Sequence, residues 1–343
     1  MKNLKTRDSN MELLRIIAIT FIVLYHLTAF FANAWGEENR LMYSLNLMLH
    51  TGVILFVLIS GYYGIRFSFR GLFKLVAMMF VYYVPLMLVK NHYGIGNQTG
   101  STLDTVCFIT RTPYWYMRTY LVLFLMSPII NKCIASVSNR QRFFLLAVLG
   151  VLAVYAGMIG KDPSLADGKN IVNFFFIYLI GNTIRLFQTD IKKAVRIRFF
   201  YIWLVYNILV VGACWLLKGS HAGSAVYILS FKYCSPGLIL NSVLLFIAFT
   251  DLKFKSSFVN HAASSALAVY LIQEHPLVRH YLKSCIYSFV QDTQDQTSAI
   301  LFWIGLSLGI VAVCMVVDKI LRPLWKLAQR AGERVDRYFR LDF

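Results

Sequence analysis

The sequence predicts an all-α, polytopic integral membrane protein with about ten transmembrane helices. Of its 343 residues, 58% are hydrophobic, and its mean hydropathy of +0.60 is higher than a soluble protein of this length sustains. The apolar runs have the length of a spanning helix, about 20 residues. They do not alternate residue by residue, as the strands of a membrane β-barrel do.

Ten apolar runs carry this prediction, and the eighth is short, with a backward extension through Ser235 and Pro236 left open. The predicted spans are approximately residues 11–33, 43–64, 71–90, 115–134, 142–160, 170–188, 199–217, 236–250, 262–282 and 299–321. The first run is longer than the core of a secretory signal peptide and many spans follow it, so a signal anchor is the better interpretation.

The net charge of +18 comes from short clusters of Lys and Arg between the apolar runs. Such clusters indicate a lipid bilayer as the partner and no nucleic acid. With the N-terminus inside, the cytoplasmic segments hold 23 of the 34 Lys and Arg residues, and the external loops hold nine. This bias predicts that both termini are cytoplasmic.

The chain divides into a transmembrane domain, residues 1–322, and a basic cytoplasmic tail, residues 323–343. The tail mixes apolar and basic residues at helical spacing, which predicts a helix lying on the anionic inner leaflet.

Two ionisable residues stand out in the first span. Arg15 and His26 are eleven residues apart, so they lie on one stripe of a helix, about 16 Å apart along its axis. Ionisable residues are costly inside a membrane and usually mark a site. The alternative is that Arg15 reaches the headgroups while His26 is a bonded interior histidine. The pair on one stripe favours function.

Polar residues on two other spans fall at a similar depth. His50 lies in the outer third of the second span, and Gln273, Glu274 and His275 lie about as far along the ninth as His26 does along the first. Pro276 offers another explanation, because its kink leaves backbone groups to satisfy. No HxxxH or HxxE spacing supports zinc or iron, so we expect a polar cavity that opens to the outside, and no metal.

The remaining candidates lie near the predicted membrane surfaces. Trp115 begins an aromatic belt, and Arg118 either extends to the headgroups or meets an anionic or sugar ligand. Arg66, Arg70 and Lys74 are spaced four apart, so they would stack on one side of a helix. Positive-inside topology explains these three cations, and phosphate binding is the alternative.

These segments together resemble the membrane-bound acyltransferase-3 family, whose members acylate surface polysaccharides and other acceptors in bacterial envelopes. The match rests on Arg-x10-His in the first span, GVILFVLISGYYG with Ser60 and Gly61, YWYMRTYLVLFLMSPIIN, NFFFIYLIGNTIR and SSALAVYLIQEHP. Two departures are the arginine-poorer segment after the second span and the late His275, which follows Tyr270-Leu271-Ile272 by two extra residues.

The resemblance implies an O-acyltransferase of the bacterial cytoplasmic membrane, with acetyl-CoA or another acyl-CoA as donor. The acceptor would be a hydroxyl of a surface glycan or lipid-linked oligosaccharide. Arg15, Ser60, Arg66, Arg70 and Lys74 would bind the donor. His50, Trp115, Arg118 and Gln273 would contact the acceptor.

The catalytic group would be His26, with Glu274 or His275 orienting it. His26 would act either as a general base or as a nucleophile that is briefly acylated. The alternative functions are a glycolipid transporter or flippase, and a structural or sensing subunit. The second leaves the buried Arg15 and His26 unexplained.

Overall fold

The computed structural model describes residues 8–35, 40–95, 102–188, 193–217, 219–250, 252–293 and 295–339. Over these ranges the regular structure is helical, without strands. The α-helices are α1 (Ser9–Trp35), α2 (Arg40–Leu49), α3 (Thr51–Tyr63), α4 (Phe69–His92), α5 (Thr102–Val106), α6 (Trp115–Ser136), α7 (Asn139–Leu152), α8 (Ile171–Leu186), α9 (Lys193–Leu216), α10 (His221–Phe231), α11 (Pro236–Thr250), α12 (Ser257–Ala263), α13 (Ala266–Gln273), α14 (Pro276–Asp292) and α15 (Gln296–Phe339).

Seven helices in the described part of the chain are long and apolar enough to cross a membrane. They correspond to the predicted spans one to five, seven and ten, with α7 continuing as a π-helix over Ala153–Ile159. An eighth span is possible if α10 and α11, which meet at 51°, count as one. The prediction of about ten spans is therefore confirmed in part, as an all-helical membrane protein with several spans.

The other predicted spans are short or broken. The sixth corresponds to α8, which has only 16 residues. The ninth, residues 262–282, is divided into α12, α13 and α14. Pro276 begins α14 because proline lacks the N–H that a continuing helix needs and its ring clashes with the preceding turn. This break turns the chain where Gln273, Glu274 and His275 follow one another.

Helix α1 lies at the centre of the fold. It packs against α2, α3, α11 and the four helices α12 to α15. Leu14, Ala18 and Val23 are completely buried between these neighbours. A helix that is covered on several sides holds its polar side chains in fixed surroundings, which is what a site requires.

Helices α3 and α8 cross at two glycines. A Cβ atom on Gly61 would lie 2.1 Å from the carbonyl O of Tyr178, and one on Gly181 would lie 2.4 Å from the carbonyl O of Leu58. Only glycine allows two backbones to approach this closely.

The C-terminal tail continues α15 as far as Phe339, with Pro323 inside the helix. It packs against the start of α4, where the Asp336 carboxylate accepts hydrogen bonds from the backbone N–H groups of Phe69 (2.7 Å) and Arg70 (3.0 Å). The helix crosses the predicted domain boundary at residue 322 without a break. The division into two domains, and the contact of the tail with a lipid leaflet, stay predictions.

Candidate active site

His26 lies at the centre of a buried polar cluster. Its Nδ1 atom is 2.8 Å from Nε2 of Gln273 and 3.0 Å from Oε1 of Glu274. The same carboxylate oxygen accepts a hydrogen bond of 2.5 Å from Nη1 of Arg279. The structure thus brings His26 together with Gln273 and Glu274, as the sequence led us to expect.

Arg279, one of the nine Lys and Arg residues of the predicted external loops, is also part of this cluster. It pairs with Glu274 and lies over the ring of Phe30 at 5.0 Å. The two residues are five apart in sequence, a spacing that does not bring side chains together on a straight helix. The turn before Pro276 brings Arg279 to Glu274, so the spacing of the two residues in the sequence did not predict this contact.

His275 does not share the site of His26. It is fully buried at the N-terminus of α14, where its Nδ1 accepts a hydrogen bond of 3.1 Å from the backbone N–H of Leu277. The ring therefore carries its proton on Nε2, which lies 3.2 Å from the carbonyl O of Tyr83. Both ring nitrogens form hydrogen bonds with backbone groups where α13 ends and α14 begins. The structure gives His275 a capping role in place of the expected catalytic one.

His50 occupies the junction between α2 and α3, and it is 5% exposed. Its ring packs against the rings of Tyr25 (4.4 Å between centroids), Phe231 (4.4 Å) and Tyr233 (4.3 Å). Neither ring nitrogen has a hydrogen-bond partner among the residues that the structure describes. Tyr25 also contacts the His26 ring at 5.5 Å, so His50 is a near neighbour of the cluster.

The structure places the two outer candidates, Trp115 and Arg118, in different surroundings. Trp115 joins the aromatic group around His50, with its ring 5.1 Å from that of Tyr233 and with Nζ of Lys169 above it at 5.6 Å. Arg118 is exposed, and its Nη1 donates a hydrogen bond of 2.6 Å to the carbonyl O of Thr110. The Arg118 side chain therefore stabilises the segment before α6, and it does not reach the His26 cluster.

A cavity of about 240 Å³ lies beside α1. Arg15, Ser60 and Lys74 are among the polar residues that line it, as is Glu12, which pairs with Arg15 at 2.6 Å. Its deeper wall includes Ile22, which precedes His26 by one helical turn, or about 6 Å along the axis. The remaining lining residues are Ile19, Val53, Phe56, Leu75, Tyr116, Tyr120, Ala263, Ser264, Ala266, Leu267 and Tyr270.

Arg66 and Arg70 do not line this cavity. Ser68 caps the N-terminus of α4, accepting a hydrogen bond of 3.0 Å from the backbone N–H of Gly71, so Arg66 precedes the helix and the predicted stack of three cations does not form. Arg70 is exposed and pairs with Glu333 of the tail at 3.1 Å. Of the three cations expected to bind the donor here, only Lys74 reaches the cavity.

The arrangement combines a cavity lined by two cations, Arg15 and Lys74, with a His–Glu pair one turn of α1 beyond Ile22 of its wall. A carboxylate beside a histidine can orient the ring and stabilise its protonated form. Within the described residues, no group of three or more His, Cys, Asp or Glu side chains is placed to hold a metal ion.

A comparison with known protein families matches residues 8–319 to an acyltransferase domain, that of the acyltransferase-3 family. No curated protein and no solved structure matches the chain. The family match covers nearly the whole chain and includes Arg15, His26 and Glu274. This chain therefore belongs to the acyltransferase-3 family, and it is a multi-pass membrane protein that transfers acyl groups.

Proposed function

We propose that the protein is an O-acetyltransferase of the bacterial cytoplasmic membrane, with its N-terminus inside. It takes the acetyl group from acetyl-CoA and transfers it to a hydroxyl of a surface or lipid-linked polysaccharide. The single observation that supports this best is the cavity that begins at Arg15 and ends one turn before His26. Family membership favours acyl transfer over the transporter alternative.

The donor would enter the cavity from the cytoplasm. Arg15 and Lys74 would hold phosphate groups by charge-assisted hydrogen bonds, and Ser60 lies on the same wall. The distance of about 16 Å from Arg15 to His26 along α1 suits an extended pantetheine arm. The thioester would then lie beside His26.

In the proposed reaction, Nε2 of His26 takes the proton from the acceptor hydroxyl as its oxygen attacks the thioester carbonyl. A new C–O bond forms, the C–S bond breaks, and the thiolate of CoA takes the proton from the imidazolium. Glu274 orients the ring through Nδ1 and stabilises its charge, while Arg279 holds Glu274. The alternative, an acetylated His26 that passes the group on, uses the same residues.

The acceptor would lie on the other side of His26. Gln273 contacts His26 directly, and His50 and Trp115 belong to the aromatic group next to it. Aromatic faces and an unbonded imidazole suit a sugar ring with its hydroxyls. We do not place Arg118 at the acceptor site, because its side chain donates a hydrogen bond to Thr110 in the segment before α6.

The test is a deletion strain that is complemented with the wild type, His26→Ala or His280→Ala. We expect His26→Ala to lose acetylation of the surface glycan. The exposed His280 provides the matched control and should complement fully. The readout is acetyl content of the isolated glycan, with membrane levels of each variant measured in parallel. Full acetylation by His26→Ala would contradict the proposed mechanism.

A further inference from the structure

Two cations of α15 reach the wall of the donor cavity through Ser264. Nζ of Lys319 and Nη2 of Arg322 each donate a hydrogen bond of 2.9 Å to Oγ of Ser264, which lines the cavity. Ser264 in turn donates to the carbonyl O of His261 at 2.6 Å. The last long helix therefore contributes charge to a cavity formed mainly by other helices.

Arg322 is held in place by a carboxylate inside the protein. Its Nη2 lies 2.8 Å from Oδ2 of Asp318, which is completely buried. Asp318 also accepts hydrogen bonds from Oη of Tyr82 (2.8 Å) and Oγ of Ser265 (2.7 Å). Three partners fix the carboxylate, and the carboxylate fixes the guanidinium, so Arg322 is oriented before any ligand arrives.

Arg322 keeps donors that these contacts do not use. All of its hydrogen bonds, to Ser264, Ser265 and Asp318, start from Nη2. Its Nε atom is buried and has no hydrogen-bond partner in the described part of the chain. The hydrogen bonds from Nη2 leave Nη1 for a further acceptor, and the Arg322 side chain is 19% exposed.

Lys74 connects this group with the cavity. Nζ of Lys74 lies 5.1 Å from the centre of the Trp325 ring, and Cζ of Arg322 lies 5.6 Å from the same centre. Arg15 of α1 and Lys74 of α4 thus line the cavity, and Lys319 and Arg322 of α15 lie behind its Ser264 wall.

We propose that Arg322, together with Lys319 and Lys74, binds phosphate groups of the acyl donor at the end of the cavity formed by Ser264. The inference rests on the proposed acyl-CoA donor and adds residues beyond Arg15 to its binding site. The guanidinium can keep its bonds to Asp318 and Ser264 through Nη2 and still donate to a phosphate through Nη1, which the single ammonium group of lysine cannot reproduce.

The first experiment compares two donors that differ in their phosphates. Acetyl-CoA carries the diphosphate and the 3′-phosphate, whereas S-acetylpantetheine carries none. For Arg322→Lys, we expect KM for acetyl-CoA to rise about tenfold or more, the effect of losing a charged hydrogen bond. KM for S-acetylpantetheine should not change. Lys326→Gln, an exposed cation one turn farther along α15, is the matched control for both donors.

The second experiment measures binding without acyl transfer. Adenosine 3′,5′-bisphosphate is titrated into the full-length protein in detergent, and we expect Arg322→Lys to bind it more weakly than the wild type and Lys326→Gln do. Asp318→Asn combined with Arg322→Gln removes both charges together and avoids an unpaired buried carboxylate. This double variant should show the same weakened binding.

The possible failures are distinguishable. A wild-type enzyme that uses no acetyl-CoA contradicts the proposed function. Equal bisphosphate binding by the wild type and Arg322→Lys contradicts the role of Arg322. An equal rise in KM for both donors also contradicts it, because a purely structural residue would affect the two alike.

Discussion

Glu274 is the residue on which the buried cluster depends, because it contacts two partners with one carboxylate oxygen. Oε1 of Glu274 lies 3.0 Å from Nδ1 of His26 and 2.5 Å from Nη1 of Arg279. Arg279 compensates the charge of a carboxylate that would otherwise be expensive to bury. The proposed base is therefore oriented by a group that is itself held in place.

We expect Glu274→Gln to lower kcat about 10²-fold, which is the lower end of what a positioned acid or base contributes. The amide keeps the shape of the side chain but cannot stabilise a protonated His26. KM for acetyl-CoA should change little, since Glu274 does not line the donor cavity. Steady-state kinetics of the purified enzyme measure both constants.

Asp104→Asn is the matched control for this change. The half-buried Asp104 pairs with the exposed Arg111 at 3.7 Å, and ion pairs near the surface contribute little. We expect its kinetics to equal those of the wild type. A Glu274→Gln variant with unchanged kcat would show that His26 does not need the carboxylate.

The sequence located part of this site. The spacing of Arg15 and His26 correctly placed both residues on one helix, because α1 (Ser9–Trp35) is unbroken. In an unbroken helix, the separation of two residues in the sequence determines their relative positions. Helical spacing did not predict the positions of His275 and Arg279, because the chain turns at Pro276. After this turn, Arg279 and not His275 belongs to the cluster around His26. Their positions depend on the angle between α13 and α14, which spacing alone does not determine.

At the scale of the elements, α3 and α8 cross with their backbones in close contact at Gly61 and Gly181. The neighbour of each glycine is a backbone carbonyl, which cannot rotate aside as a side chain does. We expect Gly61→Ala or Gly181→Ala to cost about 1–3 kcal/mol, as overpacking does in well-packed cores. A lower unfolding temperature in detergent would measure this loss.

Gly305→Ala provides the matched control for these two substitutions. Gly305 lies in α15, and a Cβ atom added to it would meet nothing within 4 Å. Alanine also favours a helix over glycine by about 1 kcal/mol, so the unfolding temperature should stay the same or rise. If all three variants unfold at the same temperature, the crossing is not tightly packed.

Most helices were predictable because apolar length is visible in the sequence, and their ends were less so. The predicted span 262–282 contains two breaks, one between α12 and α13 and one between α13 and α14. The Arg66 prediction failed because α4 begins only at Phe69, after its cap Ser68, so Arg66 and Arg70 do not lie on one helix. The continuation of α15 depends on its contact with α4 through Asp336, which is distant in sequence.

For the whole molecule, the distribution of Lys and Arg predicts sidedness, which labelling can test. In a variant without its six cysteines, Ser164→Cys lies after the fifth predicted span and Arg140→Cys lies before it. Both positions are exposed at opposite ends of one helical segment. We expect a membrane-impermeant maleimide to label Ser164→Cys in intact cells and Arg140→Cys only after permeabilisation.

The opposite labelling pattern would show that the topology is the reverse of the predicted one. The donor cavity would then open away from the cytoplasm and its CoA. Labelling of both positions in intact cells would show that residues 142–160 do not span the membrane. Each result can be checked with the same two variants in inside-out vesicles.

The glycine crossing also has a consequence for motion. Two helices whose backbones are in direct contact at Gly61 and Gly181 have little freedom to slide or rotate past each other. Helices α3 and α8 should therefore move as one body. Any opening that admits a substrate must come from other parts of the protein, and the interrupted segment from α12 to α14, which carries Glu274, offers the hinges for it.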